Sequence, residues 1–369
     1  MSCNSFNGKT ILALLLVIWL SLFCLAQGYA QDEDTTFDPF TEAGFNPYRE
    51  FASEIFTEHI DPFSGSLTLI YTDLYLPGNG GLDLKIQRTY NSGRIWNRVD
   101  IFKYRKAHFA FEPTGLGWTI HMGRVMNPYG TGSANERSPD NPVVIMPDGS
   151  THLLYKKDAT TFITKDFWLY QRVGAEDKWE LTLTDGTVYT FECNTSTGSG
   201  YWYGPNMGRR LVAQVTKIED TNGNTITINY AFDPEPGISH ITSIVHNSPS
   251  RTITFNYNSS TNVYTSISAN SRTVCTYHYI SADDDKLLSE VEPAVGNSWL
   301  YSYYSNSSED RWLTLREVTF PTGGEITYNH AGVDFCVGKN YGGTLVDVEF
   351  LAVAQKTTSG RDITGGTWT

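Results

Sequence analysis

Histidines, cysteines and clustered carboxylates are the residues from which a catalytic or metal site would be built, and their spacing in this chain builds none. The eight histidines, at positions 59, 108, 121, 152, 240, 246, 278 and 330, stand singly. His240 and His246, six apart, match no usual ligand pair. No H-E-x-x-H, G-x-S-x-G, G-x-G-x-x-G or phosphate-loop word occurs in a matching context. Carboxylates are plentiful, and a β-rich chain with many Trp and Tyr suits a glycosidase using two of them, but nothing nominates a pair. Asp283-Asp284-Asp285 reads as a solvated turn. Asp220, Asn222 and Asn224 open like a calcium loop, yet Gly223 comes too early and no distal glutamate completes it, so a hairpin turn is expected there. Cys193, Cys275 and Cys336 have no zinc spacing and read either as one bridge with a leftover thiol or as buried thiols in strands. Trp202, in Gly198-Ser199-Gly200-Tyr201-Trp202-Tyr203-Gly204, is a sugar-stacking platform or, more simply, an aromatic strand residue covering a sheet. The expectation is a non-enzymatic protein with no catalytic, cofactor-binding or metal-binding residues.

The elements that carry these side chains are strands. In Asp61–Ser92, Leu67, Leu69 and Tyr71 alternate with Ser66, Thr68 and Ile70, and Leu82, Leu84 and Ile86 alternate with Asp83, Lys85 and Gln87. That is the period of a strand with one apolar face. Pro77-Gly78-Asn79-Gly80-Gly81 lies between the two runs, with φ fixed at the proline and positive φ open to the glycines and Asn79, so a β-hairpin is predicted.

From Asn141 onward the pattern repeats. Asp148-Gly149, Asp185-Gly186 and Asn222-Gly223 each join two alternating runs, the strongest short hairpin signal. Tyrosine-bearing strand ends recur at Tyr230, Tyr257, Tyr277, Tyr301 and Tyr328, at steps of 27, 20, 24 and 27 residues. Such a period means stacked supersecondary units. The clearest unit runs from Leu313 to Tyr328 through a turn at Pro321-Thr322-Gly323-Gly324. Gly365 and Trp368 stand as Gly296 and Trp299 do before another such strand, so the chain reads as a piece of a longer polypeptide or of a truncated gene, with residues 331–369 weakly held.

The first thirty residues carry one charge, Lys9, then an apolar run from Ile11 to Ala26 and small residues at Gly28 and Ala30. The run is short for a span of ~20 residues, so a signal peptide cleaved after Ala26 or Ala30 is expected, with an uncleaved anchor as the alternative, and no integral membrane segment thereafter. Losing Lys9 moves the formal charge from -13 to -14, a poor match for nucleic acid or anionic membrane. Gln31 to Asn46 is polar and acidic, and Pro47 to Ile60 holds a helical pattern in Tyr48, Phe51, Ile55 and Phe56, a short helix that either plugs a sheet end or simply packs. The expected division is 1–30 signal peptide, 31–57 acidic leader and short helix, 58–140 an N-terminal β region and 141–369 a hairpin array.

Several words in one order resemble the opening of RHS/YD-repeat proteins: Asp61-Pro62, Ser64-Gly65 and Leu67, then Thr72-Asp73-Leu74 with Leu76-Pro77-Gly78, then Gly81-Leu82 and Arg88-Thr89-Tyr90-Asn91-Ser92. Gly115-Leu116-Gly117-Trp118-Thr119-Ile120 and Gly123-Arg124-Val125 continue the likeness, which covers residues 58–126. The later repeats resemble YD repeats in degenerate form, with Ser302 or His330 near places where the family has Asp. The resemblance implies an all-β array of antiparallel hairpins forming a curved or spiralling sheet. It implies the start of a secreted shell that encloses or presents a C-terminal toxin or effector, its partner being that downstream cargo. The family's C-terminal core, self-cleaving aspartate motif and toxin have no counterpart in these residues. The alternatives are a secreted adhesion or carbohydrate-binding YD protein contacting glycans or a neighbouring cell, and an all-β glycoside hydrolase.

Overall fold

The computed structural model describes residues 56–95 apart from 63 and 94, 113–126, 142–174 apart from 159, 178–193, 200–203, 210–233, 238–282, 285–339 apart from 308 and 310, 345–360 and 363–368. The proposed signal peptide and acidic leader lie outside these residues. The first strands are β1 (Phe56–Ile60), β2 (Leu67–Leu76), β3 (Leu84–Asn91) and β4 (Trp118–Ile120), which form one antiparallel sheet in the order β1-β2-β3-β4. The expected helix over Pro47–Ile60 is corrected at its described end: residues 56–60 are a strand, with Phe56 opposite Tyr71 and Ile60 opposite Leu67. Four apolar residues at helical spacing are a weak local preference, and the free edge of β2 offers five residues a full set of backbone partners instead.

β2 and β3 form the predicted hairpin, with Leu67, Leu69, Tyr71, Leu84 and Ile86 all buried. Its turn takes positive φ at Gly80 and Gly81, not at Asn79. Gly78 answers a different demand: a Cβ there would lie 1.8 Å from the Leu82 carbonyl oxygen.

A larger antiparallel sheet follows. It contains β5 (Arg124–Met126), β6 (Val143–Ile145), β7 (Thr151–Leu153), β8 (Tyr155–Lys156), β9 (Thr161–Ile163), β10 (Leu169–Arg172), β11 (Lys178–Thr182), β12 (Val188–Glu192), β13 (Gly200–Tyr203) and β14 (Arg210–Glu219). It continues through β15 (Thr225–Asp233), β16 (Ile238–Asn247), β17 (Ser250–Asn258), β18 (Val263–Ala269), β19 (Arg272–Ala282) and β20 (Asp285–Pro293). The last members are β21 (Trp299–Tyr303), β22 (Leu315–Thr319), β23 (Glu325–Lys339), β24 (Leu345–Gly360) and β25 (Ile363–Trp368). From β15 to β25 each strand pairs with its sequence neighbours, the meander that short hairpin turns dictate.

β14 is a branch point. Gln214 is opposite Glu192 of β12 on one edge and Arg124 of β5 on the other, while Lys217 is opposite Thr190 of β12 and Thr227 of β15. β5 and β15 therefore share one edge of β14 and diverge from it.

The repeat has a backbone signature that the tyrosine count only approximates. Register shifts fall between Asn229 and Tyr230, Asn256 and Tyr257, His278 and Tyr279, Ser302 and Tyr303, and Asn329 and His330. A bulge inserts one residue, so the inward-facing parity changes there. Ile228, Phe255, Tyr277, Tyr301 and Tyr328 precede the bulge and are buried. The markers read from the sequence mix two positions: Tyr230 and Tyr257 follow the bulge, whereas Tyr277, Tyr301 and Tyr328 precede it. His330 thus occupies the place of Tyr230, Tyr257, Tyr279 and Tyr303.

Candidate functional site: a buried arginine–aspartate–tyrosine cluster

The words that open the chain and the tyrosines that end the repeats meet at one place. β2 carries its own bulge: Thr72 is opposite Gln87 and Leu74 opposite Ile86, leaving Asp73 as the extra residue. The inward set changes from Leu67, Leu69 and Tyr71 to Leu74 and Leu76, and the Asp73 side chain, only 5% exposed, is turned to the same side as Tyr71 and Arg88.

Arg88, on β3, is fully buried and spans the gap to the array. Its Nε and Nη2 donate to the two Asp73 oxygens at 3.1 and 3.2 Å, a fork-on-fork pair, and its Nη1 donates to the Tyr301 hydroxyl at 3.1 Å. Tyr277 donates to Asp73 Oδ2 at 2.7 Å. The guanidinium lies 4.4 Å from the Tyr71 ring centroid and 4.7 Å from that of Trp118. Burial works against the Arg88 charge, but Asp73 and the surrounding hydroxyls outweigh it and hold the guanidinium more firmly protonated. Burial, followed by the Asp73 charge, raises the Tyr277 hydroxyl well above its ordinary range, so it stays a donor. Tyr301 is pushed up to about 12 by burial, with Arg88 opposing.

Around this pair the same division of labour repeats. Trp118 Nε1 donates at 2.8 Å to the Tyr303 hydroxyl, which donates to Leu288 O at 2.6 Å. The Leu315 N–H donates to the Tyr90 hydroxyl at 2.8 Å. His246 Nε2 lies 2.8 Å from Leu82 O and so carries the proton there, and Arg251 Nη1 donates to Pro77 O at 2.6 Å. At the other end Glu58 accepts from Tyr328 and from Lys356 Nζ, the latter at 2.6 Å. The small sheet therefore lies against the meander from the β16–β17 turn to β24.

The post-bulge side chains supply a regular bond. Tyr230 donates to Val215 O at 2.7 Å, Tyr303 to Leu288 O and His330 Nε2 to Leu315 O at 3.1 Å, each reaching a carbonyl fifteen residues earlier. A carbonyl only accepts, so His330 is the Nε2–H tautomer and does a tyrosine's work. Burial, joined by Arg311, drives its pKa down to about 4, while the Leu315 bond opposes.

The cluster bonds the small sheet to the repeating one through Asp73, Arg88, Tyr277 and Tyr301. Among the described residues no group of three or more His, Cys, Asp or Glu is placed to hold a metal ion, and no helix is long and apolar enough to cross a membrane. His240 and His246 serve separate neighbours, His240 stacking on Tyr257 at 3.9 Å. Asp220 accepts the Asn222 and Asn224 backbone N–H groups at 2.8 Å each, the hairpin turn expected of it. Asp285 departs from the solvated-turn reading: it is buried at the start of β20, opposite Ala282, while Asp283 and Asp284 lie outside the described residues. Cys275 is a buried free thiol, and Cys193 Sγ lies 3.6 Å from Val212 O. The Trp202 and Cys336 side chains lie outside the described residues.

Sequence reasoning assigned Asp73, Arg88 and Trp118 to motif words without a role. The bulge-and-tyrosine partnership could have been sought from the Ile/Phe/Tyr–polar–Tyr/His triplets at 228–230, 255–257, 277–279, 301–303 and 328–330.

No family model matches the chain, and no curated protein matches it. Among solved structures it is similar to a chain of the TcdB2-TccC3-Cdc42 crystal structure, with 13% identity over 77% of this chain and a TM-score of 0.32. It is similar to a chain of the Photorhabdus luminescens Tc holotoxin pore, with 13% identity over 79% and a TM-score of 0.36. The likeness spans 16% of the length of each of those chains. A third similar structure is the N-terminal domain of the effector protein SpvB from Salmonella typhimurium strain LT2, 10% identical, with 79% of this chain and 99% of that one covered and a TM-score of 0.30.

Proposed function

We propose that this chain is the N-terminal portion of a secreted RHS/YD-repeat shell, a wall that encloses or presents a C-terminal effector domain and does no chemistry in its core. The observation that supports the reading is the convergence of the motif residues: Asp73, Arg88, Tyr90 and Trp118 from the opening words bond Tyr277, Tyr301, Leu315 and Tyr303 of successive hairpins. Residues that read as scattered words along the chain share one structural task, which is to seat the first sheet on the repeating one. A meander stabilised by neighbour contacts extends by adding hairpins, as a shell wall requires. The acidic balance disfavours nucleic acid as a partner.

The test is the product of the complete gene, recovered from the culture medium. An enclosed distal domain that resists protease in the intact particle, and is digested once the particle is denatured, is the expected result. A distal domain digested equally in both states would defeat the container reading. Amino-terminal sequencing of the same material should begin at Gln27 or Gln31 if the apolar segment is removed on export.

A further inference from the structure

The turn between β6 and β7 and the turn between β9 and β10 together build a feature that lies outside the shell reading. Ser150 and His152 are two apart in an extended segment, so their side chains share a face. Ser150 Oγ lies 3.1 Å from His152 Nε2, and His152 Nδ1 lies 3.0 Å from Asp166 Oδ2. An ionised carboxylate only accepts, so Nδ1 carries the ring proton, Nε2 presents its lone pair, and the Ser150 hydroxyl donates to it. That is the order nucleophile, base, orienting carboxylate, each link within hydrogen-bond reach.

The surroundings fit a working group better than a buried polar knot. The His152 side chain is 20% exposed and that of Asp166 55%, so solvent reaches the relay. The imidazole is held from one side by Trp168, with ring centroids 4.2 Å apart. The backbone carrying Trp168 is fixed in turn by its main-chain N–H donating to Thr164 Oγ1 at 3.0 Å. Next to Asp166, Phe167 has a φ of 61° and is 76% exposed. A bulky residue in the left-handed region is strained, and a packing role does not explain that strain for a ring standing in water.

We propose that Ser150, His152 and Asp166 form an esterase-type relay that takes the acyl group of a small aromatic ester, with Phe167 and Trp168 as the apolar seat. Ser150 Oγ adds to the ester carbonyl as His152 Nε2 takes its proton. The carbon–oxygen bond to the leaving group breaks, and the alcohol departs with that proton. Water then adds to the acyl-serine with its proton passing to Nε2, and the carboxylic acid leaves as Ser150 recovers its hydrogen. Ser150 and His152 are the catalytic residues and Asp166 a positioning residue. The Ser150 N–H is already taken by Asp148 Oδ1 at 2.8 Å, so it is not offered to the developing oxyanion, and slow turnover with trapped acyl-enzyme is expected.

The experiment treats the full chain with a fluorophosphonate probe and separately with 4-nitrophenyl acetate, mapping modified residues by mass spectrometry. Label should concentrate on Ser150, disappear in Ser150→Ala and fall about 100-fold or more in His152→Gln, the scale of a lost general base. Asp166→Asn should slow acylation about tenfold or more and Asp166→Glu should restore part of it, a rescue that a merely structural role would not produce. Thermal midpoints of all four variants should stay close to the parent's, because none of the three residues belongs to the buried core. Absence of label, label spread evenly over many serines, or labelling of Ser150 indifferent to His152→Gln would each overturn the proposal.

Discussion

Acid should weaken this fold through His330 in a way that a single substitution isolates. The ring is 4% exposed, donates Nε2–H to Leu315 O, and has its pKa lowered from 6.5 to about 4, first by burial and then by Arg311. The folded state resists the proton that the unfolded chain accepts. Stability from this group is therefore complete above the unfolded value and is lost as pH falls from there toward the folded one. The slope is ~1.4 kcal/mol per pH unit inside that window, which gives a loss of about 2.5 kcal/mol between pH 7 and about pH 4.5. Carboxylates titrate over the same range, so the measurement must be differential. His330→Tyr supplies that control, because the four other repeats place tyrosine after the bulge and two of them make the same bond. Urea unfolding of both proteins at about pH 7, 5.5 and 4.5 should show the parent losing about 2.5 kcal/mol more than the variant across that range. Parallel loss in the two proteins would refute the assignment of a neutral, buried imidazole.

Asp73→Asn should lower stability by about 3–5 kcal/mol because it leaves the Arg88 charge buried without its counter-charge, and the double change Asp73→Leu with Arg88→Met should cost less than the sum of the single ones, as read by a double-mutant cycle in denaturant. Gly78→Ala should cost about 1–3 kcal/mol, since its Cβ would meet Leu82 O at 1.8 Å, whereas Gly223→Ala, with φ +79° and open space around it, should cost only about 1 kcal/mol of backbone strain; thermal midpoints of the two variants distinguish the effects. The Cys275 thiol, buried and pushed up to about 12 first by burial and then by the Asp73 charge, should stay unlabelled by maleimide at neutral pH until the protein is unfolded, as intact mass would report.

The local rules worked where a pattern repeats on its own strand. Leu67, Leu69 and Tyr71, or Ile253 and Phe255, face the core because alternation is a property of a few consecutive residues. Asp-Gly and Asn-Gly turns likewise declare themselves within four residues, and Asp220 behaves as the turn residue it resembles. At its described end, residues 56–60, the helical pattern gave way to a strand because spacing over a handful of residues cannot weigh the offer of backbone partners from β2. Asp285 failed as a solvated charge because its burial depends on strands outside its own run of carboxylates.

What the sequence by itself determined is the class: strands of period two, hairpin turns, a repeat of about two dozen residues, and the words that resemble an RHS opening. What only the tertiary structure decided is which residues act together. Asp73 and Arg88 become a cluster through a bulge that turns Asp73 inward and through tyrosines more than two hundred positions away. Ser150 and His152 meet Asp166 across two separate turns. Period and turn type follow from short-range sterics, which act along the chain. Bulge position, burial of charge and the meeting of distant side chains follow from how sheets stack, and that is set only when strands far apart in sequence have packed together.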